Sequence, residues 1–270
     1  MYLTRHLTPA RPRWALDGYF LPPAFNLGLL LELPAAASVD LLAALRTDEQ
    51  AEGALLAPIE PMQEVWAAGV TYLRSRDARK EESSVADVYQ KVYDAARPEV
   101  FFKAAGWRVV ANGQPVRIRA DSGWNVPEPE MVLVINRDGE IVGYCAGNDM
   151  SSRDIEGENP LYLPQAKIYD GSCALGNGIQ LARPDDLRNL PIRIEIVRDG
   201  ATLFNGESST AQMRRTPEEL AACLVGELTF PQGVFLMTGT CVVPGEGFTL
   251  RSGDMMRIKV GAIALENSVA

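Results

Sequence analysis

The amino-acid sequence predicts an α+β fold, with a small N-terminal domain at residues 1–57 and a larger β-rich domain at residues 58–270. Two observations carry this prediction. Pro58 and Pro61 mark a change of pattern, and after Arg97 short apolar segments alternate with Asn-Gly, Asp-Gly and Pro-Gly turns. Short strands joined by such turns indicate a large mixed or antiparallel sheet.

The N-terminal domain and the segment after it contain the first predicted helices. An Ala/Leu-rich stretch from Val39 to Leu45 favours a helix, and "VWAAGVTYL" can form a strand. The charged segment that follows has apolar residues at helical spacing, at Val85, Val88, Val92 and Ala95. Two interpretations of residues 73–97 stay open, a movable cover over a site and a solvated surface helix.

A single helix is predicted to interrupt the β-rich domain, near Thr216 to Leu228. Pro217 suits the first helical turn, and two glutamates after it suit the positive end of the helix dipole.

The composition limits the classes of function. Among 270 residues, 35 are acidic and 26 basic, and the basic stretch from Arg74 to Lys80 is followed at once by two glutamates, so we expect no nucleic-acid partner. The longest apolar run is too short to span a bilayer, and the N-terminus lacks the apolar stretch of a secretory signal, so we expect no membrane partner and a cytoplasmic location.

The segment "NVPEPEMVLVINRDGEIVGYCAGND" contains the clearest chemical signal. Residues before proline favour extended backbone, and residues two apart in a strand share a face, so Glu128 and Glu130 should lie side by side. Two adjacent carboxylates repel each other. Either a positive group lies between them or one of them is protonated.

Hairpin geometry brings a third acid to the pair. With a turn near Asp138 to Glu140, Glu130 falls opposite the region of Asn148 and Asp149. Three carboxylates without a nearby His or Cys favour Mg²⁺, Mn²⁺ or Ca²⁺ over zinc. The alternative is that Glu-x-Glu is an exposed strand edge whose charges prevent aggregation.

Other polar residues have two interpretations each. Lys167 is either a surface lysine or a cation that acts in the same pocket. The turn of Thr238, Gly239 and Thr240 either binds a carboxylate or only satisfies its own backbone. Phe101 to Lys103 is most simply a strand end with a lysine that reaches solvent.

The shortage of histidine excludes several mechanisms. His6 is the only histidine and lies near the N-terminus, where we expect a structural or surface role. Ser-His-Asp, Cys-His and His-rich zinc sites are therefore not expected. Four cysteines lie far apart without a Cys-x-x-Cys pair, which predicts free thiols in a reducing compartment, and Cys145 and Cys173 are expected in the core.

The long segment from Val126 to Gly176, with "RPEVFFK" upstream and "TGTCVVPG" downstream, resembles the fumarylacetoacetate hydrolase superfamily from about Val65 to Ala270. The resemblance implies a mixed β-roll catalytic domain that forms a homodimer or homotetramer. It also implies that Glu128, Glu130 and Asp149 bind Mg²⁺, with Mn²⁺ or Ca²⁺ as alternatives.

The resemblance also implies roles for other side chains. Lys167 and Glu99 stand at catalytic positions, and the substrate, a small 2-oxo acid, is expected to contact Phe102, Lys103, Thr238, Gly239 and Thr240. The spacing of nineteen residues from Glu130 to Asp149 and the "ENPLYLPQAKIY" stretch resemble family members that dehydrate 2-keto-3-deoxy sugar acids to semialdehydes.

One departure from the family's hydrolases supports dehydration. Those enzymes carry a Gly-x-Asn-Tyr element and then a His and a Glu that activate water. Here Gly69 and Tyr72 remain, Thr71 replaces the Asn, and Ser75 and Ala78 stand where the His and Glu are expected. The alternatives are a Mg²⁺-dependent acylpyruvate or fumarylpyruvate type hydrolase, a 2-oxo acid decarboxylase or isomerase, and a binding protein without activity.

Overall fold

The computed structural model describes residues 1–73 and 86–270, and three sheets form its framework. Within the described residues the largest sheet has eleven strands: β1 Tyr2–Leu7, β2 Pro12–Leu16, β3 Tyr19–Phe20, β4 Leu55–Leu56, β5 Glu64–Gly69, β6 Glu99–Ala105, β8 Pro129–Ile135, β9 Ile141–Asp149, β11 Cys173–Leu175, β12 Ile179–Leu181 and β15 Val234–Met237. A short pair consists of β7 Asn125–Val126 and β10 Ser151–Ser152. The third sheet contains β13 Pro191–Arg198, β14 Ala201–Ser209, β16 Met255–Val260 and β17 Ile263–Ser268.

Six α-helices and four short 3₁₀ turns connect the described strands. The helices are α1 Leu27–Leu30, α2 Ala35–Leu45, α3 Ala86–Asp94, α4 Arg153–Glu158, α5 Leu163–Lys167 and α6 Pro217–Val225. The 3₁₀ turns are Gly106–Arg108, Pro160–Tyr162, Pro184–Leu187 and Thr210–Gln212. None of the described helices has the length and apolar character needed to cross a membrane.

The hairpin of β8 and β9 lies in the middle of the largest sheet. The order along this sheet is β3-β2-β1-β12-β9-β8-β15-β5-β6, with β15 and β5 parallel. Every residue of β8 and β9 is buried. Strands β13 and β16 of the four-stranded sheet contact the hairpin, and helices α2 and α6 contact it as well. The predicted mixed sheet is confirmed, and its central hairpin is buried along its whole length.

The four-stranded sheet has one apolar and one exposed face. Along β13, Ile192, Ile194 and Ile196 are buried, whereas Arg193 is exposed, which is the alternation expected of a strand with one face on the core. The buried face of this sheet packs against the β8–β9 hairpin.

Helix α6 confirms the helix predicted near Thr216 to Leu228. Thr216 Oγ1 accepts a hydrogen bond from the Glu219 N–H, and the Glu219 carboxylate accepts one from the Thr216 N–H, with Pro217 in the first turn. The predicted Val39 to Leu45 helix is part of α2.

The N-terminal strands join the largest sheet, because β1 pairs with β12. The domain boundary at residue 57 stays a prediction. The predicted cover at residues 73–97 includes α3, whereas Ser75, Ala78 and Val85 lie outside the described residues.

One loop holds both ends of the connection between β5 and β6. Met213 pairs with Tyr72, and the Arg214 N–H donates to Thr71 O at 3.0 Å. At the other end, the Arg215 guanidinium donates to the carbonyls of Ala95 and Ala96, at 2.6 and 3.2 Å. The entry and exit of this connection are therefore fixed at one place.

Candidate metal centre

Three buried carboxylates converge at the open end of the β8–β9 hairpin. The Asp149 N–H donates to Glu128 O at 2.9 Å, so these two residues lie opposite each other, and Glu130 lies opposite Gly147. One oxygen from each of Glu128, Glu130 and Asp149 lies within 4.8 Å of the others. The predicted convergence is confirmed. The predicted pairing of Glu130 with the Asn148–Asp149 region is wrong by one or two residues.

Burial excludes the alternative of an exposed strand edge. Glu128 and Asp149 are each 2% exposed and Glu130 is 1% exposed. Buried carboxylates need positive partners or protons, because transferring a bare charge from water costs far more than folding can offset.

Three buried cations surround the carboxylates. Lys167 Nζ lies 2.8 Å from Glu128 Oε2 and 2.9 Å from Asp149 Oδ2. Lys103 Nζ lies 2.5 Å from Asp149 Oδ1, and Arg153 Nη2 lies 3.0 Å from Glu128 Oε1. The interpretation of Lys167 as a surface lysine is therefore wrong.

The environment of Glu130 differs from that of Glu128 and Asp149. Burial, followed by the neighbouring carboxylates of Asp149 and Glu128, raises the pKa of Glu130 well above its usual range. The Gly239 N–H donates to Glu130 Oε2 at 2.6 Å. The sequence predicted a positive neighbour or a protonated carboxyl group, and the structure has the first at Glu128 and favours the second at Glu130.

The turn at Thr238 to Thr240 holds the edge of β8. The hydroxyls of Thr238 and Thr240 donate to Met131 O at 2.9 Å and Pro129 O at 3.1 Å. Gly239 has a φ of +91°, and a Cβ there would meet Thr71 Oγ1, so this position requires glycine. A contact between this turn and a substrate carboxylate stays a prediction.

Lys103 does not reach solvent as predicted. It lies inside β6, fully buried, and its ammonium donates to Met150 O at 3.1 Å and to Lys167 O as well as pairing with Asp149. Lys103 thus holds the end of β9 and the end of α5 in place, and a contact between Lys103 and the substrate stays a prediction.

A small cavity, here called the acidic cavity, opens onto the three carboxylates. Its described lining residues are Ala68, Gly69, Val70, Glu99, Phe101, Glu128, Glu130, Asp149, Glu156, Leu163, Lys167, Gly239 and Thr240. Phe102, a predicted substrate contact, instead packs edge-on against Trp66 at 5.9 Å between ring centroids. Phe101 lines the acidic cavity, and a contact between Phe102 and the substrate stays a prediction.

Glu99 reaches the acidic cavity across Gly69. The two residues pair between β6 and β5, and a Cβ on Gly69 would clash with Glu99 Oε2. The missing side chain at Gly69 therefore gives the Glu99 carboxylate its position.

Arg153 and Glu156 were missed by the sequence reasoning. Arg153 is 4% exposed, and its guanidinium joins Glu128 to Glu156, with 3.4 Å from Nη1 to Glu156 Oε2. The Ser151 hydroxyl also donates to Glu156 Oε2, at 2.9 Å. An Arg followed three residues later by a Glu was visible in the sequence, but nothing there indicated that both side chains turn inward.

His6, Cys145 and Cys173 are packed inside the protein and have structural roles. His6 is in β1, where its Nε2 lies 2.8 Å from Thr4 Oγ1 and its ring packs edge-on against Phe20. Burial raises the pKa of the Cys145 and Cys173 thiols to about 12, so both are inert core residues as predicted.

The donor set fits a small divalent cation. The carboxylates present hard oxygen ligands, which Mg²⁺, Mn²⁺ and Ca²⁺ prefer, and the side chains that line the acidic cavity include neither His nor Cys. Among the described residues Glu130 has no ion pair within salt-bridge distance, and a bound dication would favour its ionised form over the protonated form that the raised pKa favours.

Fold and site together define a class of protein built around a buried carboxylate triad in a β-rich domain. The family model "Fumarylacetoacetate (FAA) hydrolase C-terminal" matches residues 64–270. This chain belongs to the fumarylacetoacetate hydrolase family, and the predicted membership and fold are confirmed.

Two relatives of this chain are named as sugar-acid dehydratases. The chain is 48% identical over 211 residues to a probable 2-keto-3-deoxyxylonate dehydratase of Haloferax volcanii, covering 77% of this chain and 72% of that protein. It is 43% identical over 213 residues to 2-dehydro-3-deoxy-D-arabinonate dehydratase of Saccharolobus solfataricus, covering 76% and 70%.

A solved structure extends the similarity to the whole chain. It is 2-keto-3-deoxy-D-arabinonate dehydratase complexed with magnesium and 2,5-dioxopentanoate, with a TM-score of 0.80 and 31% identity, covering 100% of this chain and 98% of that chain.

Proposed function

We propose that this chain is a Mg²⁺-dependent hydro-lyase that dehydrates a 2-keto-3-deoxy sugar acid, a pentonate, to a semialdehyde such as 2,5-dioxopentanoate. The observation that carries the proposal is Lys167 beside the carboxylate triad in a cavity without a lining histidine. The dehydratase relatives support it, since two of them are more than 40% identical to this chain.

Glu128, Glu130 and Asp149 would hold the ion, with Mn²⁺ or Ca²⁺ as chemically similar substitutes. When bound, the ion supplies positive charge against the negative charge that develops on the 2-oxo group of the substrate. Arg153 and Lys103 keep Glu128 and Asp149 in position from outside the cavity.

Lys167 and Glu99 are the candidate catalytic residues because both line the acidic cavity. One of them accepts the proton from C3 as the hydroxyl leaves C4 with a proton, forming water. A proton then moves from C5 to C3, which leaves an enol with its double bond between C4 and C5. This enol loses its hydroxyl proton and gains a proton at C4, which produces the aldehyde at C5. The substrate loses one water and nothing is oxidised or reduced overall.

The same proposal covers the partner of the enzyme, its cellular location and its oligomeric state. The partner is the small 2-oxo acid, which we place against Thr240 at the mouth of the acidic cavity. We also propose a cytoplasmic enzyme that assembles as a homodimer or homotetramer.

Product analysis by mass spectrometry tests the function. Purified protein is incubated with 2-keto-3-deoxy pentonates and, separately, with acylpyruvates, in Mg²⁺ and in EDTA. We expect a product lighter by one water from a pentonate in Mg²⁺ alone. Release of pyruvate from an acylpyruvate would instead indicate a hydrolase.

A pair of matched variants tests the metal site. Glu128→Gln removes one charge from the triad and should abolish turnover, whereas Glu207→Gln removes one charge from an exposed pair with Arg193 and should leave turnover unchanged. Full activity of Glu128→Gln, or full activity in EDTA, contradicts the proposed role of the metal.

A further inference from the structure

Every carboxylate oxygen of Glu128 and Asp149 lies next to a buried cation. Arg153 and Lys167 take the two oxygens of Glu128, and Lys103 and Lys167 take the two oxygens of Asp149. A metal ion that binds through these two residues must therefore displace a cation or share an oxygen with one.

Lys167 differs from the other two cations in what else it touches. The Lys103 ammonium also bonds two backbone carbonyls, and the Arg153 guanidinium also pairs with Glu156, so both are held from outside the triad. The side-chain hydrogen bonds of Lys167 go to Glu128 and Asp149 themselves.

Lys167 also differs from Lys103 and Arg153 in its position relative to the acidic cavity. Lys167 lines the acidic cavity, from which an ion would approach, and the described lining includes neither Lys103 nor Arg153. A lysine carries its charge on a flexible stem of four carbons, so its ammonium can move aside while the planar guanidinium of an arginine stays in a fixed fork.

We propose that Lys167 is a built-in counter-ion that competes with the divalent metal for Glu128 and Asp149. Without metal, its ammonium bridges the two buried carboxylates and pairs with the oxygen of each that Arg153 and Lys103 do not contact, which lowers the cost of burying them. With metal, a dication and an ammonium repel each other at the same oxygens. Lys167 thus stabilises the metal-free protein and weakens metal binding. This inference does not depend on which reaction the site catalyses.

Calorimetric titration with Mg²⁺ and with Mn²⁺, without substrate, tests the competition in Lys167→Met, which keeps an unbranched side chain, one atom shorter, without its charge. An opposite charge close to a carboxylate shifts its proton affinity by about ten- to a thousandfold, and a competing metal should respond in the same sense. We therefore expect a Kd lower by at least about tenfold. An unchanged or higher Kd overturns the proposal.

Lys259→Met is the matched control. It makes the same substitution and the same change of net charge on the exposed face of β16. Its Kd should stay within about twofold of the wild-type value, since exposed charges at a distance are screened by salt. A decrease equal to that of Lys167→Met would show a general effect of net charge and would also overturn the proposal.

Crystal structures of the wild-type protein with and without Mg²⁺ test the same idea if Lys167→Met fails to fold. We expect Lys167 Nζ to leave hydrogen-bond distance of Glu128, Asp149 or both when the ion is bound. Both contacts kept in the metal-bound protein overturn the competition. A further combination of results is that the wild-type protein fails the dehydratase assay while Lys167→Met binds metal more tightly than the wild type. That combination would reject the proposed reaction and leave this inference standing.

Discussion

Replacement of Arg153 by Gln should destabilise the metal-free protein strongly. The guanidinium is buried between two buried carboxylates, and removal of one member of a buried pair costs about 3–5 kcal/mol because charge is left without its partner. Glu128 keeps Lys167 and Glu156 keeps the Ser151 hydroxyl, which places the loss near the lower limit, about 3 kcal/mol.

Thermal unfolding in EDTA measures this loss. For a chain of this size, 1 kcal/mol corresponds to about 2–4 °C in Tm, so Arg153→Gln should unfold about 6–12 °C below the wild type. Arg257→Gln is the control, since Arg257 also joins two carboxylates, Glu195 and Glu266, but is exposed. We expect no resolvable change there. Equal decreases in both variants would refute the reasoning from burial.

Three further predictions concern the acidic cavity and the buried thiols. Gly69→Ala puts a Cβ against Glu99 Oε2. A displacement of about 1 Å at an active site can cost about 100-fold in rate, so kcat should fall by that order while the calorimetric Kd for Mg²⁺ stays constant. A change in Kd alone would contradict the catalytic role of Glu99. The raised pKa of Glu130 favours its protonated form in the metal-free fold, so the stability that it contributes is present below the ordinary glutamate pKa and is lost as pH rises through the raised value. Mg²⁺ binding must release this proton, so affinity should increase as pH rises from the ordinary glutamate pKa towards the raised value, and the increase should be smaller in Glu130→Gln; a pH-independent wild-type Kd would contradict it. Burial raises the pKa of the Cys145 and Cys173 thiols to about 12. At neutral pH both should therefore react with a thiol reagent more slowly than Cys223, the half-buried thiol in α6. Equal reaction rates in the folded protein would contradict their inertness.

The sequence predicted the carboxylate triad because local rules were sufficient there. Proline placed Glu128 and Glu130 on one face, and the turn brought Asp149 back to them. The turn is centred closer to Asp138 than predicted, which moves the partner of Glu130 from the region of Asn148 and Asp149 to Gly147. Asp149 lies opposite Glu128 instead, and Glu130 shares the face of Glu128, so the three acids still meet.

The cations could not be predicted in the same way. Lys103 lies in a strand that reaches the triad only through the order of the sheet, and Arg153 and Lys167 lie on short helices whose direction depends on tertiary contacts. Lys103 was expected to reach solvent because an isolated lysine at a strand end usually does. Its burial depends on partners that are distant in the sequence, Asp149 among them.

The loop at Met213 to Arg215 gives the fold a modular character. It fixes Thr71 and Tyr72 before the connection between β5 and β6, and Ala95 and Ala96 after it, at one place outside the triad. Since the free energy of closing a loop depends only weakly on its length, the intervening residues can be exchanged or lengthened between these fixed ends. The length and the composition of this connection can therefore change without rebuilding the site that holds the metal.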